Sequence, residues 1–375
     1  MIGKCLLAFV ITVAATNGVL AGVAPAYTIT DLGSLGATGG GPFFPRYINE
    51  NNQVVGVGPT GAPGGAFSAY SSLNGSPMTN IGGLGGNSVG FAVNNAGVIV
   101  GQSESAGVTT GTRWIGGVPA AVPGLAGPNN AAGGINNFGQ IAGWMDAPSG
   151  GAVAYRLTGT TLENFGNLGG LVSDINGMNA EGRFVGNSQT AAGGFTSFRA
   201  FISSATGNSL IDLGVLGGSD NISLAFGVND AGVVIGTSSF FQPAPFVFTS
   251  RGFRWENGVM SEIPRPAGFE VLSPSGINNA GVVVGRVTPD AFSSADSAFI
   301  HADGQLQFLT DLLVPSLAGW RITNGWEIND GGFIAAEAVD PSGVVRNVLL
   351  NPIPEPAALV WVVMGVAGLA VRRRL

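Results

Sequence analysis

Polar and apolar positions in this chain alternate in a short phrase that keeps returning. An apolar residue is followed by Asn, two variable positions, Gly, and a β-branched run that ends in Gly, as in VNNAGVIVG over Val93–Gly101. Aligned on the Asn, the phrase reads INENNQVVG (48–56), VNNAGVIVG (93–101), INNFGQIAG (135–143), MNAEGRFVG (178–186), VNDAGVVIG (228–236), INNAGVVVG (277–285) and INDGGFIAA (328–336). An Asn side chain that accepts a backbone N–H two residues on starts a turn, and a residue of positive φ three positions after the Asn completes a type I turn with a bulge. The β-branched run is the returning strand. Asn52 replaces the Gly in the first copy without changing this reading, because Asn tolerates the left-handed region. Asn49, Asn94, Asn136, Asn179, Asn229, Asn278 and Asn329 are therefore structural turn residues. The alternative, that together they line a ligand or cation site, is not needed to explain their type or spacing.

Two further apolar segments accompany each copy. After it comes an aromatic or aliphatic strand: AFSAYSS from Ala66, TRWIGG from Thr112, VAYRLTG from Val153, FRAFISS from Phe198, GFRWENG from Gly252, SAFIHADG from Ser297 and VRNVLLNP from Val345. Before it comes a strand with a glycine signature: DLGSLG from Asp31, NIGGLGG from Asn80, NFGNLGG from Asn164 and DLGVLGG from Asp212, with weaker forms near Leu125, Ile263 and Leu309. Four strands per repeat result. Successive Asn positions lie 42 to 51 residues apart, close to the roughly 40–45-residue period of a four-stranded propeller blade. The prediction is an all-β, seven-bladed β-propeller of four-stranded antiparallel blades over residues 27–352. The first repeat opens with its fourth-strand element, YTITDLGSLG, and the seventh stops after its third strand. The N-terminal strand is expected to complete the last blade, which removes an open sheet edge.

Composition agrees with many short strands and tight turns: 63 glycines, 45% hydrophobic residues and only 10% charged ones in 375 residues, against a usual quarter charged. A net charge of -7 and a pI near 4.7 offer no basic surface, so nucleic acid is not expected as a partner.

The ends carry targeting signals. Lys4 followed by CLLAFVITVAA and small residues at Ala21, Ala24 and Ala26 reads as a signal peptide over residues 1–26, with cleavage expected after Ala21 or Ala26. Cys5, the only cysteine, precedes the apolar run, so the mature chain has no disulfide to form. The last residues, 353–375, hold Pro354, Glu355 and Pro356, an apolar run from Ala357 to Val371, and Arg372, Arg373 and Arg374. The run is shorter than the usual 17–25 residues of a spanning helix, but flanking arginines snorkel and hold the C-terminus on the cytoplasmic side. A C-terminal hydrophobic helix anchored in the inner membrane is expected.

The order DLGxLGG, INxxGxVVGxS, AFxW resembles the extracellular HAF repeat over nearly all of the mature chain. That resemblance implies an exported repeat protein without an assigned biochemical activity. The tail resembles a PEP-CTERM sorting signal, which implies an exosortase-type transpeptidase as partner, acting at the Pro-Glu-Pro segment and passing the protein toward the cell surface or extracellular matrix.

Chemistry is sparse. The single histidine, His301, is read as an exposed edge residue, with no second His or Cys to share a metal. No Gly-x-Ser-x-Gly elbow accompanies it, and no glycine cluster opens a helix as a phosphate loop does. No metal, cofactor or catalytic residue is expected. Carboxylates are placed on loops leading into the first strands (Asp174, Asp220, Glu270) and following the second (Glu104, Asp146, Asp290, Asp296), which share one face of a propeller. On that face aromatic and basic residues are also expected from three loops: Phe240, Phe241, Phe246 and Phe248; Trp320 and Arg321; and Phe43, Phe44 and Arg46. They form a candidate ligand face for a polysaccharide or another surface protein. The reading is an exported surface or exopolysaccharide-matrix protein that binds or builds; its alternative is a propeller glycosidase or polysaccharide lyase using loop carboxylates.

Overall fold

The local chemistry of the Asn turn is realised and extended. In the computed structural model, Asn94 Oδ1 accepts the N–H of Ala96 at 3.1 Å and also that of Val98 at 3.0 Å. Asn49 and Asn136 do the same at two and four residues on. Asn179, Asn229, Asn278 and Asn329 accept from the residue four on. The left-handed position falls where the spacing places it, with Gly97 at φ 78° and its counterpart Asn52 at 57°. The structure describes residues 26–353 apart from 36–43, 62–65, 126, 149, 192–193, 195–196, 244–245 and 291–294. The leader before Ala26, Phe43, and the sorting tail with Pro354, Glu355, Pro356, Arg372, Arg373, Arg374 and the expected helix lie outside the described residues.

Each repeat folds as an antiparallel meander in which the first strand pairs with the second, the second with the third and the third with the fourth. Five sheets are four-stranded; repeats five and six share an eight-stranded sheet, joined by one parallel pair, Ser250↔Val271. The last sheet takes its fourth strand from the N-terminus. Tyr27–Asp31 runs antiparallel to Val345–Pro352 in register from Tyr27↔Pro352 to Asp31↔Val348. Tyr27 is fully buried, in one cluster with Ile322, Ile334, Val348 and Leu350.

The glycine signature before each turn is an Asx turn. Oδ1 of Asp31, Asn80, Asn164 and Asp212 each accepts the N–H two residues on, at 2.8 Å.

A second glycine sets the shape of the first strand. The Gly that closes the β-branched run faces a carbonyl of the first strand so closely that a Cβ would fall 2.1 Å from Phe44 O at Gly56, 1.9 Å from Val89 O at Gly101 and 2.2 Å from Ser273 O at Gly285. Third-strand aromatics Tyr70, Tyr155, Phe201, Phe253 and Phe299 pair opposite such glycines and are fully buried. Beside each glycine the first strand slips by one residue, at Pro45/Tyr47, Gly90/Ala92, Ala132/Gly134, Ile175/Gly177, Ala225/Gly227, Pro274/Gly276 and Gly325/Glu327. In the last repeat, where Ala336 stands in place of Gly, a further slip occurs at Ile322/Asn324. A bulge re-aims the extra residue out of the ladder. These residues are Arg46, Phe91, Gly133, Asn176, Phe226, Ser275 and Trp326.

The segment from Thr237, read as a loop exposing Phe240, Phe241, Phe246 and Phe248, is a long hairpin of Val234–Pro243 and Phe246–Glu256, with Phe241 opposite Phe248 and Pro243 opposite Phe246. The two strands stay in register from Val234↔Trp255 to Pro243↔Phe246, and Asn221 braces the hairpin by donating to Phe241 O and accepting from Phe241 N. His301 is half-buried, not exposed; its Nε2 has no hydrogen-bond partner among the described residues, and burial, then Arg254, pull its pKa down.

Candidate functional site: an axial cavity with two unlike ends

The seven turns meet on the axis. Asn49 Nδ2 donates to the carbonyl of Asn94 (2.8 Å), Asn94 to Asn136 (3.2 Å), Asn136 to Ala180 (3.1 Å), Asn179 to Asn229 (3.0 Å), Asn229 to Asn278 (3.2 Å), Asn278 to Asn329 (3.2 Å) and Asn329 back to Asn49 (3.0 Å). The circle closes, with one step landing a residue late. Each Asn thus holds its own turn through Oδ1 and the next repeat through Nδ2. The sequence reading found the first role and missed the second.

A second circle uses the residue after each Asn. Its backbone N–H donates to the side chain at the same position in the next repeat: Glu50 to Asn95, Asn95 to Asn137, Ala180 to Asp230, Asp230 to Asn279, Asn279 to Asp330, and Asp330 to Glu50. The step from Asn137 is missing because Ala180 has no side-chain acceptor. Asn279 Nδ2 bridges Asp230 and Asp330 at 2.8 and 2.9 Å. The two circles rim a cavity of about 260 Å³. Among the described residues, no group of three or more His, Cys, Asp and Glu is set to hold a metal ion.

The opposite end is wider, about 400 Å³. Three sequence positions of the repeat build its wall: the seven bulged residues, three before each Asn; Asp174, Ser273 and Asn324, two residues earlier on the same strands; and Gln102, Trp144 and Arg286, which follow the glycine of the second strand. Arg46 lies 5.9 Å from the Phe44 ring and 6.0 Å from the Trp326 ring, and those two rings meet edge to face at 5.6 Å. Arg46 has no ion pair or hydrogen-bond partner among the described residues, whereas Arg286 pairs with Asp296 at 3.2 Å. Enclosure by protein draws the Arg46 pKa down. In the same wall Asn324 Oδ1 and Trp326 Nε1 are buried without partners among the described residues.

Glu327 stands between the two ends and lines both. Its residual exposed surface opens onto the cavity, so loss of hydration dominates and pushes its pKa up to about 8, despite backbone N–H groups, including that of Ile328 at 3.2 Å, that favour the carboxylate. The side chain lies over Gly276 of the preceding repeat, where a Cβ would come 2.5 Å from Oε1. Burial also raises the pKa of Asp174. Burial thus biases both carboxyls toward their protonated forms.

The candidates read from sequence separate into two groups. Arg46 and Asp174 reach the cavity, with Phe44 behind Arg46. Asp174 does so from within the strand Gly169–Met178, not from a loop, because that strand starts early, with Gly169 opposite Thr190. Glu104 and Asp146 are likewise on strands, Ile99–Ser105 and Ile141–Asp146. Three of the other acids serve their own repeats: Asp220 binds Arg251 and Ser238, both at 2.7 Å, Asp146 takes N and Nδ2 of Asn129, and Glu104 takes Asn87. Trp320 packs against the core of the last repeat, and Arg321 donates to Asp296 O at 2.9 Å. Glu327, Trp326, Trp144, Phe91 and Phe226 were missed. The available signal was the column three residues before the Asn, which reads Arg, Phe, Gly, Asn, Phe, Ser, Trp while the Asn column itself is invariant.

No family model matches the chain, and no curated protein matches it. Among solved structures it is similar to TolB from Acinetobacter baumannii (12% identity, 80% of this chain and 63% of that one, TM-score 0.46) and to the β-propeller domain of the Trilobed protease from Pyrococcus furiosus (11%, 70% and 82%, 0.48). It is also similar to the Pyrococcus horikoshii acylaminoacyl peptidase (11%, 70% and 45%, 0.45). The chain therefore spans less than two thirds of TolB and under half of the peptidase. What defines the class is the chain's own pairing: four-stranded antiparallel sheets set about an axial cavity, a β-propeller. No helix among the described residues is long and apolar enough to cross a membrane.

Proposed function

We propose that this is a seven-bladed propeller, exported and sorted through its tail to the cell surface or exopolysaccharide matrix, which binds its ligand in the wide end of the axial cavity. The closed circle of asparagines and the N-terminal strand on the last sheet support seven blades closed into a ring. The observation that carries the binding role is the wide cavity itself: about 400 Å³, apolar in part, with an unpaired guanidinium and buried polar atoms in one wall, the usual make-up of a ligand pocket. The exosortase-type enzyme, the inner membrane and a polysaccharide or surface protein are the partners of this reading.

A glycan array probed with the mature chain tests it. Binding that is blocked by Phe226→Trp, which narrows the cavity, supports the reading; binding indifferent to that change places the ligand elsewhere. Fusing residues 353–375 to a reporter, with and without an exosortase, tests the sorting step. A second reading, hydrolysis or elimination on a polysaccharide, is favoured by Asp174 and Glu327, two carboxyls with raised pKa in one cavity. Release of reducing ends that is abolished by both Asp174→Asn and Glu327→Gln would establish it.

A further inference from the structure

We infer that the wide end of the cavity selects a carboxylate-bearing sugar, a uronic acid unit, with Arg46 as the group that receives the carboxylate. The inference rests on the proposed binding role of this cavity and names the chemistry of the ligand.

Arg46 carries it. A guanidinium presents five N–H donors in a planar fork that fits a carboxylate through two parallel bonds, and all are left without a protein acceptor among the described residues. The aromatic rings of Phe44 and Trp326 hold its position at 5.9 and 6.0 Å without occupying those donors. The other guanidinium in the wall, Arg286, is already neutralised by Asp296. Arg46 is therefore the one guanidinium of the wall without an acidic partner among the described residues, and it can take up one negative charge on the ligand. A cluster of phosphates or sulfates would bring more negative charge than this single guanidinium can balance.

Independent observations select a sugar ring. Trp144, Phe91 and Phe226 supply apolar walls for the faces of a pyranose. Gln102, Asn176 and Ser275 supply hydroxyl partners between them. Asn324, whose side-chain oxygen is buried without a partner, stands two residues from Trp326, whose indole N–H is in the same condition. A buried polar atom without a partner is costly, and two in one wall mark a place organised for something other than stability.

The test is titration calorimetry of the mature chain with oligogalacturonate, with monomeric galacturonate, with neutral cello-oligosaccharide of the same length, and with a sulfated oligosaccharide. Oligogalacturonate is expected to bind about tenfold or more tighter than the neutral oligomer, a difference of about 1.4 kcal/mol. Arg46→Met is expected to abolish that preference while leaving the melting temperature in place. Arg46→Lys, which keeps the charge but loses the fork, should fall between. Equal binding of neutral and acidic oligomers, blocked by Phe226→Trp, leaves the binding role standing and overturns the uronate assignment, as does equal binding of the sulfated oligomer. No binding of any saccharide overturns both. Monomer binding as tight as oligomer identifies a free uronate, and weaker monomer binding identifies a unit of a polymer.

Discussion

The two ends of the axial cavity are built from the same strands and behave oppositely. At the narrow end the same residue type appears seven times, every one of these Asn side chains is hydrogen-bonded at both ends, and each bond joins one repeat to itself or to the next. At the wide end the equivalent position holds seven residues of six types, one of them an unpaired Arg46 and another, Trp326, with a buried N–H lacking a partner. Repetition marks the scaffold, because a ring of equivalent interfaces requires the same bond at each. Variation marks the site, because a ligand without sevenfold symmetry requires different groups around it.

This contrast makes the narrow end sensitive in stability. Asn329→Ala removes the donor to Asn49 O and the acceptor for Phe333 N, leaving buried groups unpaired at about 1–3 kcal/mol apiece. A loss of about 3 kcal/mol in urea unfolding is expected. Unchanged unfolding would mean that the asparagine circle is incidental to closure.

Glu327, between the ends, should show its effect in the pH dependence. A carboxyl at about 8 in the folded state and near 4.3 when unfolded holds a proton that the unfolded chain has already lost. Its contribution is complete below the unfolded value and declines as pH rises through the folded one, by at most about 1.4 kcal/mol per pH unit in between. Glu327→Gln should therefore lose less stability than the natural protein between pH 5 and pH 8. Parallel profiles for the two proteins would show that the carboxyl is ionised in both states.

A smaller effect of opposite sign is expected at the one gap in the second circle. Ala180→Asn supplies the acceptor that Asn137 N–H lacks and should raise stability by about 0.5–1 kcal/mol, read as a higher melting temperature. The smallest expected effect is at the wide end: Ser275→Ala should change unfolding by no more than about 0.5 kcal/mol. A larger loss there would break the division between scaffold and site.

The strands and turns were legible from the sequence because their causes are local. An Asn that binds its own backbone, a residue of positive φ three positions on, and a β-branched run give a hairpin whatever surrounds them. Asp31 binding Gly33 N follows the same logic, and so does the pairing expected for Tyr27–Asp31, once the fourth strand of the last repeat was missing. The loop assigned to Phe240 and Phe241 failed where two strands simply continued, and Asp174 was placed on a loop because nothing local marks the early start of its strand.

Alone, the order of residues specifies the repeat, its turns and its count of strands, all fixed by interactions within about five residues or by alternation along a strand. It does not specify what the repeat encloses. Whether Arg46, Trp326 and Glu327 face an axis depends on a bulge, the bulge on a glycine, or in the last repeat Ala336, in the neighbouring strand, and the axis on the asparagine circle closing at Asn49 again. Those contacts join residues as far apart as Asn329 and Asn49, and only the folded chain brings them within bonding distance.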